Sequence, residues 1–86
     1  MSHSLAFDSD GWTDYVYWQS EDRKTLKRIN ALIVDAVRDP FGGIGKPEPL
    51  RHQLGGAWSR RIDDVNRLVY LVTGDEIRVL QARYHY

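Results

Sequence analysis

The run FGGIGKPEP, Phe41 to Pro49, divides the chain into two parts with different hydrophobic periods, and that division limits what it can fold into. Before the run, apolar residues recur at helical spacing. After it they alternate with polar ones, as on a half-buried strand. Helices first and short strands afterwards point to an α+β arrangement, not to alternating βα units. Neither part of an 86-residue chain is long enough to fold alone, so the run is expected to be a loop inside one domain spanning residues 1–86.

The helical part opens with Leu5-Ala6-Phe7, a short edge or central strand, and Ser9 or Asp10 then offers an N-cap. From Gly11 to Gln19, helical spacing puts Trp12, Tyr15, Val16 and Gln19 on one side. Ser20 is expected to cap a second helix, with Glu21 and Asp22 in its first turn, where the helix dipole favours acids. Its apolar stripe is Leu26, Ile29, Ile33, Ala36 and Val37. Asp39-Pro40 ends it, because a residue before proline is pushed out of the helical region. The period-two part predicts strands over 50–54, 57–62, 66–73 and 76–84, joined at Gly55-Gly56, Asp63-Asp64 and Gly74-Asp75. Such short connections imply an antiparallel meander, with a helical hairpin lying across it.

Composition narrows the function classes. Without cysteine there is no disulfide or thiolate metal site, and His3 and His52 lack partners at metal-ligand spacing, so neither metal nor cofactor is expected. A formal net charge of zero argues against a strongly basic, sequence-indifferent nucleic-acid binder. The charge is uneven, however: residues 1–45 carry five Lys/Arg and seven Asp/Glu, residues 46–86 seven and five. The opening MSHSLAFD lacks the pattern of a secretory signal, and no run is long enough to span a membrane. A cytoplasmic protein is the expectation.

The basic surplus gathers in KPEPLRHQLGGAWSRRIDDVNR, Lys46 to Arg67, where Glu48 stands among Arg51, Arg60, Arg61 and Arg67, ahead of the Asp63-Asp64 turn. Pro47 and Pro49 stiffen the backbone around Glu48. A second group of proton donors and acceptors closes the chain at Arg83-Tyr84-His85-Tyr86. An acid or base at each end of an arginine-rich sheet suggests work on a phosphate. The residues also admit a plainer reading. Glu48 serves as well as an ion-pair partner of Arg51 or Arg61, and on this reading one of Arg60 and Arg61, which face opposite sides of a strand, only covers apolar surface with its stem. Trp12, Tyr15, Trp18 and Trp58 read as core or interface residues, and their number for so small a core suggests a symmetric homodimer.

The ordered set KPEPLRHQLGGAWSRRI, NRLVYLV and ARYHY, with DYVYWQ and RDPFGGIGKPEPL before it, resembles the YoeB family of toxins within the RelE/ParE superfamily. The resemblance implies a RelE-like fold, two N-terminal helices packed on a small, twisted, mostly antiparallel sheet. It further implies a ribosome-dependent messenger-RNA endonuclease neutralised by a cognate antitoxin of the YefM/Phd type. On this reading Glu48 is the general base, Arg67 meets the scissile phosphate, His85 is the general acid, and Tyr86 is the terminal tyrosine of the site. Lys46, Arg51, Arg61 and Arg83 supply cationic contacts to RNA; an arginine at position 51 fixes a fork geometry that lysine lacks. Glu48, ionised and a weak base in isolation, needs a substrate positioned by a second macromolecule. The competing functions are a toxin of the same fold that inhibits a protein target without cutting RNA, and a relic that only binds its antitoxin. Strict alternation along the last strand puts His85 and Tyr86 on opposite faces, so both reach one site only if the terminus bends.

Overall fold

Two helices and five strands build the computed structural model, which describes residues 3–50 and 55–84. Strand β1 (Ser4–Phe7) leads into α1 (Ser9–Glu21) and α2 (Arg23–Arg38), followed by β2 (Glu48–Pro49), β3 (Ala57–Arg61), β4 (Arg67–Thr73) and β5 (Glu76–Gln81). The sheet order is β1-β5-β4-β3-β2. The strands from β2 to β5 pair antiparallel, as the short turns require, while β1 returns beside β5 in parallel, Ser4 opposite Glu76 and Phe7 opposite Val79. The architecture is therefore α+β with a mixed, mostly antiparallel sheet.

Local chemistry explains where the helices differ from expectation. Asp8, one residue ahead of Ser9, is the N-cap of α1, which runs on through Ser20 to Glu21. Ser20 does not start a helix; its hydroxyl donates back to the Tyr17 carbonyl, a bond that a serine inside a helix readily makes. Asp22 is the cap of α2, its carboxylate accepting from the Lys24 N–H (3.1 Å) and the Thr25 hydroxyl (2.8 Å). Those bonds hold the Asp22 carboxyl below its usual range, the Thr25 hydroxyl contributing most. Of the expected stripe, Ile29, Ile33 and Ala36 are buried, joined by Leu32, with Leu26 and Val37 packed at the margin. They meet Ile62, Leu68, Tyr70, Ile77 and Val79 from one face of the sheet. Trp18 from α1 completes this core and donates its indole N–H to the Ala82 carbonyl (2.8 Å).

Strand ends shift in the same way. β2 forms two residues earlier than the expected 50–54; Leu50 still donates to Ala57, and 51–54 lie outside the described residues. β5 stops at Gln81 instead of continuing to Tyr84, which takes a left-handed backbone (φ 65°).

Arg60 resolves the question raised by the adjacent pair. Its side chain is fully buried on the helix side of β3 and does not reach solvent. Nε donates to the Tyr70 hydroxyl, Nη1 to Asp35 (2.6 Å) and the Ile44 carbonyl, and Nη2 to the carbonyls of Asp39 and Gly42. Tyr70 passes its own proton to Pro40 (2.7 Å), and its burial pushes the phenol pKa up. The 39–44 loop is thereby tied to α2 and to the sheet. Its exit is tight: Gly45 has φ 82°, and a Cβ there would lie 2.6 Å from Leu32 and 3.1 Å from the Arg60 side chain.

Two outcomes follow from this network. Replacing Arg60 by Ala removes one partner each from Asp35, Tyr70 and three carbonyls, and denaturant titration should show a loss of about 3–5 kcal/mol. Arg38, then the Ile44 N–H, then Arg60 hold the Asp35 carboxyl down to about 2 from 3.8. A depressed folded pKa stabilises above the unfolded value and is lost as pH falls toward the folded one. Acid unfolding should therefore steepen between pH 4 and pH 2, and Asp35→Asn should flatten that limb.

Candidate active site

Register places the site before any side-chain detail is needed. Glu48 pairs with Ser59, Ser59 with Val69 and Val69 with Gln81, while Arg61 pairs with Arg67. Directly opposed residues share a face. Leu50, Ala57 and Val69, packed with Leu71 and Leu80, form a second small apolar cluster on the face away from the helices. Glu48, Ser59, Arg61 and Arg67 therefore all belong to that open face. Glu48 and Arg61 are exposed, Arg67 half-buried. Glu48 and Arg67 are two strands and two residues apart, roughly 12 Å between Cα atoms. Two long side chains reaching inward across that gap leave space for a phosphate between them.

Each cation is held differently. Arg61 donates its backbone N–H to the Gly45 carbonyl (2.7 Å), joining the loop before Glu48 to the end of β3. Its carbonyl accepts from the Arg28 guanidinium (3.1 Å). Arg67 gives Nη1 to the carbonyls of Asp63 (2.8 Å) and Asn66 (3.2 Å), so part of its guanidinium braces the β3–β4 turn. An arginine has five N–H donors, so this bracing uses part of its capacity. Like charges directly opposed across a ladder are unfavourable, and the Arg61–Arg67 row is therefore a place where an anion stabilises the fold. Lys46 is exposed beside this face in a left-handed backbone (φ 53°).

Asp63 organises the turn. Its burial works against ionisation, yet the N–H groups of Asn66 and Val65 outweigh it and hold the carboxyl below its usual range. The Asn66 amide donates to both Asp63 oxygens (3.1 Å each), and its own oxygen accepts from the Tyr84 N–H (2.7 Å). The Tyr84 carbonyl accepts from the Arg67 N–H (3.0 Å) and from Gln81 (3.2 Å). The peptide that leads into His85 is thus tied to Arg67. The backbone turns out of the strand at Tyr84, the last described residue (φ 65°). His85, Tyr86 and Arg51 themselves lie outside the described residues.

Arg83 departs from a free phosphate contact. Its guanidinium lies 3.6 Å over the Tyr17 ring and 4.5 Å from the Tyr84 ring, a cation–π pairing that holds the last segment against α1. Arg60, part of the same sequence stretch, belongs to the core. Ser59, Asn66 and Gln81 were not singled out in the sequence; only the Asp-Asp-Val-Asn turn hints at Asn66.

A family model described as the YoeB-like toxin of bacterial type II toxin–antitoxin systems matches residues 7–86. The chain belongs to the YoeB toxin family. Toxin YoeB of Streptomyces coelicolor is 61% identical over 82 residues, covering 95% of this chain and 98% of that protein. Among solved structures, a YoeB/ParE toxin from Agrobacterium tumefaciens superposes with a TM-score of 0.92 at 45% identity, over 96% of this chain and 99% of that one. The Staphylococcus aureus YoeB has been solved as a dimer (TM-score 0.89, 39% identity) and in complex with YefM (TM-score 0.87, 38% identity), each covering 100% of both chains. In this YoeB-family chain the neutral overall charge coexists with a cationic row, because the acids sit mainly in the helical part.

The row makes a measurable trade. Arg61→Gln should leave stability unchanged or raise it by about 0.2–1 kcal/mol by removing the like-charge pair. The same variant should bind a phosphate-bearing ligand more weakly and with a shallower salt dependence, as read by titration at several ionic strengths.

Proposed function

We propose that this toxin is a ribosome-dependent messenger-RNA endoribonuclease of the cytoplasm, restrained by a cognate antitoxin of the YefM/Phd type. One observation carries the reading. Glu48, Arg61 and Arg67 share the open face of the sheet, and the backbone entering His85 is hydrogen-bonded to Arg67. That combination supports a base and cations around one phosphate, with His85 proposed as the acid. A protein that only occupies a target has no need for all three.

In the proposed reaction Glu48 takes the proton of the ribose 2′-hydroxyl, and that oxygen attacks the adjacent phosphorus. Arg67 and Arg61, assisted by Lys46 and Arg51, stabilise the added negative charge. The bond to the 5′-oxygen breaks as His85 protonates the leaving oxygen. The products are a 2′,3′-cyclic phosphate, or the 3′-phosphate from its opening, and a 5′-hydroxyl. A decoding ribosome supplies the substrate geometry that a weak base requires.

The antitoxin reading rests on charge and on a relative. The S. aureus toxin is solved with YefM, and an acidic segment that folds on binding suits the cationic row. Self-association is proposed on similar grounds: the S. aureus toxin is solved as a dimer, and Leu5, Trp12 and Val16 are exposed here. Trp18 is buried and takes no part in such a surface.

Primer extension in a translation extract should show new 5′-hydroxyl ends within translated message, lost when a 2′-deoxynucleotide stands at the cut. Arg67→Ala should lower the cleavage rate by about 10²–10³-fold. The variant should also lose a little stability, since Arg67 braces the turn, and Arg67→Lys should restore part of the rate. Ends bearing 5′-phosphate and 3′-hydroxyl would exclude 2′-hydroxyl attack, and translation arrest without any new ends would favour the non-cleaving toxin.

A further inference from the structure

Beside the end of β5 lies an open cavity of about 290 Å³ that the proposed chemistry does not use. Sheet topology creates it. β1 stops at Phe7, opposite Val79, so among the described residues β5 continues past its parallel neighbour. The first turns of α1 close against that edge: a Cβ on Gly11 would stand 2.2 Å from the Val79 carbonyl oxygen. Leu80 lines the cavity and also packs on the apolar cluster beneath the open face. Gln81, another lining residue, stands in the same cross-strand row as Glu48. The cavity therefore adjoins the candidate active site.

Its walls differ in chemistry. On α1 stand Asp10 and Thr13, together with Asp14, whose carboxylate is already committed to the Ala82 N–H (3.0 Å). The other lining residues include Arg83 and Tyr84, the latter 57% exposed. A left-handed backbone is costly for a tyrosine, yet Asn66, Arg67 and Gln81 all bond the Tyr84 peptide and fix it there. The result is a presented aromatic ring, backed by a guanidinium, across from a carboxylate.

A phosphate is unwelcome beside Asp10, whereas a neutral planar base suits both walls. Its face stacks on an aromatic ring as single-stranded bases do, and its N–H edge donates to the carboxylate. The volume lies at the small end of ligand pockets, which fits one base and not an oligonucleotide. Guanine offers N1–H and N2–H to one carboxylate together, whereas uracil offers a single N–H. Resting on the endonuclease reading for the identity of the substrate, we propose that this cavity takes the base next to the scissile phosphate, guanine by preference, stacked on Tyr84 and read by Asp10.

Amide spectra of the free, 15N-labelled toxin titrated with 5′-GMP, 5′-UMP and inorganic phosphate test this directly. GMP should shift Gly11, Thr13, Gln81 and Tyr84, with UMP at least about five-fold weaker, the low end for losing a two-point contact. Phosphate alone should leave those signals in place. Asp10→Asn should erase the preference for GMP over UMP and Tyr84→Leu should weaken both, the dispersion of each spectrum reporting whether the variant is folded. Asp10 also sits in the first turn of α1, where an acid favours the helix; a purely structural role would lower the melting temperature and leave the GMP-to-UMP ratio untouched, which overturns the proposal. Equal responses to GMP and UMP, or shifts confined to Arg61 and Arg67 and matched by phosphate, overturn it as well. Should either variant fail to fold, the wild-type contrast still decides. No ribosome or turnover is involved, so GMP binding here without any cleavage sinks the endonuclease reading alone, and cleavage without a guanine response sinks the cavity alone.

Discussion

A guanidinium with no access to water holds this molecule's least regular segment in place. Burying a charge is expensive, and the interior compensates only when the ion is paired and its donors are satisfied. Arg60 meets that condition through Asp35, Tyr70 and the carbonyls of Asp39, Gly42 and Ile44. The acceptors come from α2, from β4 and from the glycine-rich loop. One side chain thus does for residues 39–45 what ladder hydrogen bonds do for a strand. The loop then delivers its Gly45 carbonyl to Arg61, and Glu48–Pro49 enters the sheet as β2. The proposed base thus follows a loop anchored by this buried ion, in addition to the two prolines around it.

Site and scaffold are separated by a single step along β3. Arg60 and Arg61 are chemically identical and adjacent, but alternation sends one into the core and the other onto the open face. The same rule gathers Glu48, Ser59 and Arg67 with Arg61, so the open face collects opposite charges above a small apolar floor. Two arginines held directly opposite one another cost the ladder something, a cost that a bound anion would offset. Backbone strain lies at the borders of the same face, at Lys46 and Tyr84, where surrounding hydrogen bonds and not propensity decide the conformation.

The C-terminal segment shows how fold and site depend on each other. Trp18 and Asp14 of α1 bond Ala82, Arg83 stacks on Tyr17, and Asn66 and Arg67 take the Tyr84 peptide. The first helix and the β3–β4 turn, far apart in sequence, converge on the last described residues. Disturbing either is expected to move the entry to His85, even when no site residue has changed.

Much of this was legible in the residues. The change of period at Phe41–Pro49 separated helices from strands, the turn pairs set the meander, and the ordered charged residues with the ARYHY ending carried the resemblance to YoeB toxins. These features are local, or depend on order alone, and a sequence states them directly. The caps were misplaced because Asp8, Ser9, Asp10, Ser20 and Asp22 have similar capping chemistry, and only helix packing selects among them. Leu32, the parallel return of β1 and the early end of β5 depend on which surfaces meet. So does the division between Arg60 and Arg61: alternation says that they differ, but only the core beneath β3, with Asp35 and Tyr70 waiting in it, decides which is buried. The amino-acid order determined the elements and the chemical groups; tertiary structure determined which guanidinium holds the loop and which is left on the open face, because burial and pairing are properties of the assembled sheet and helices.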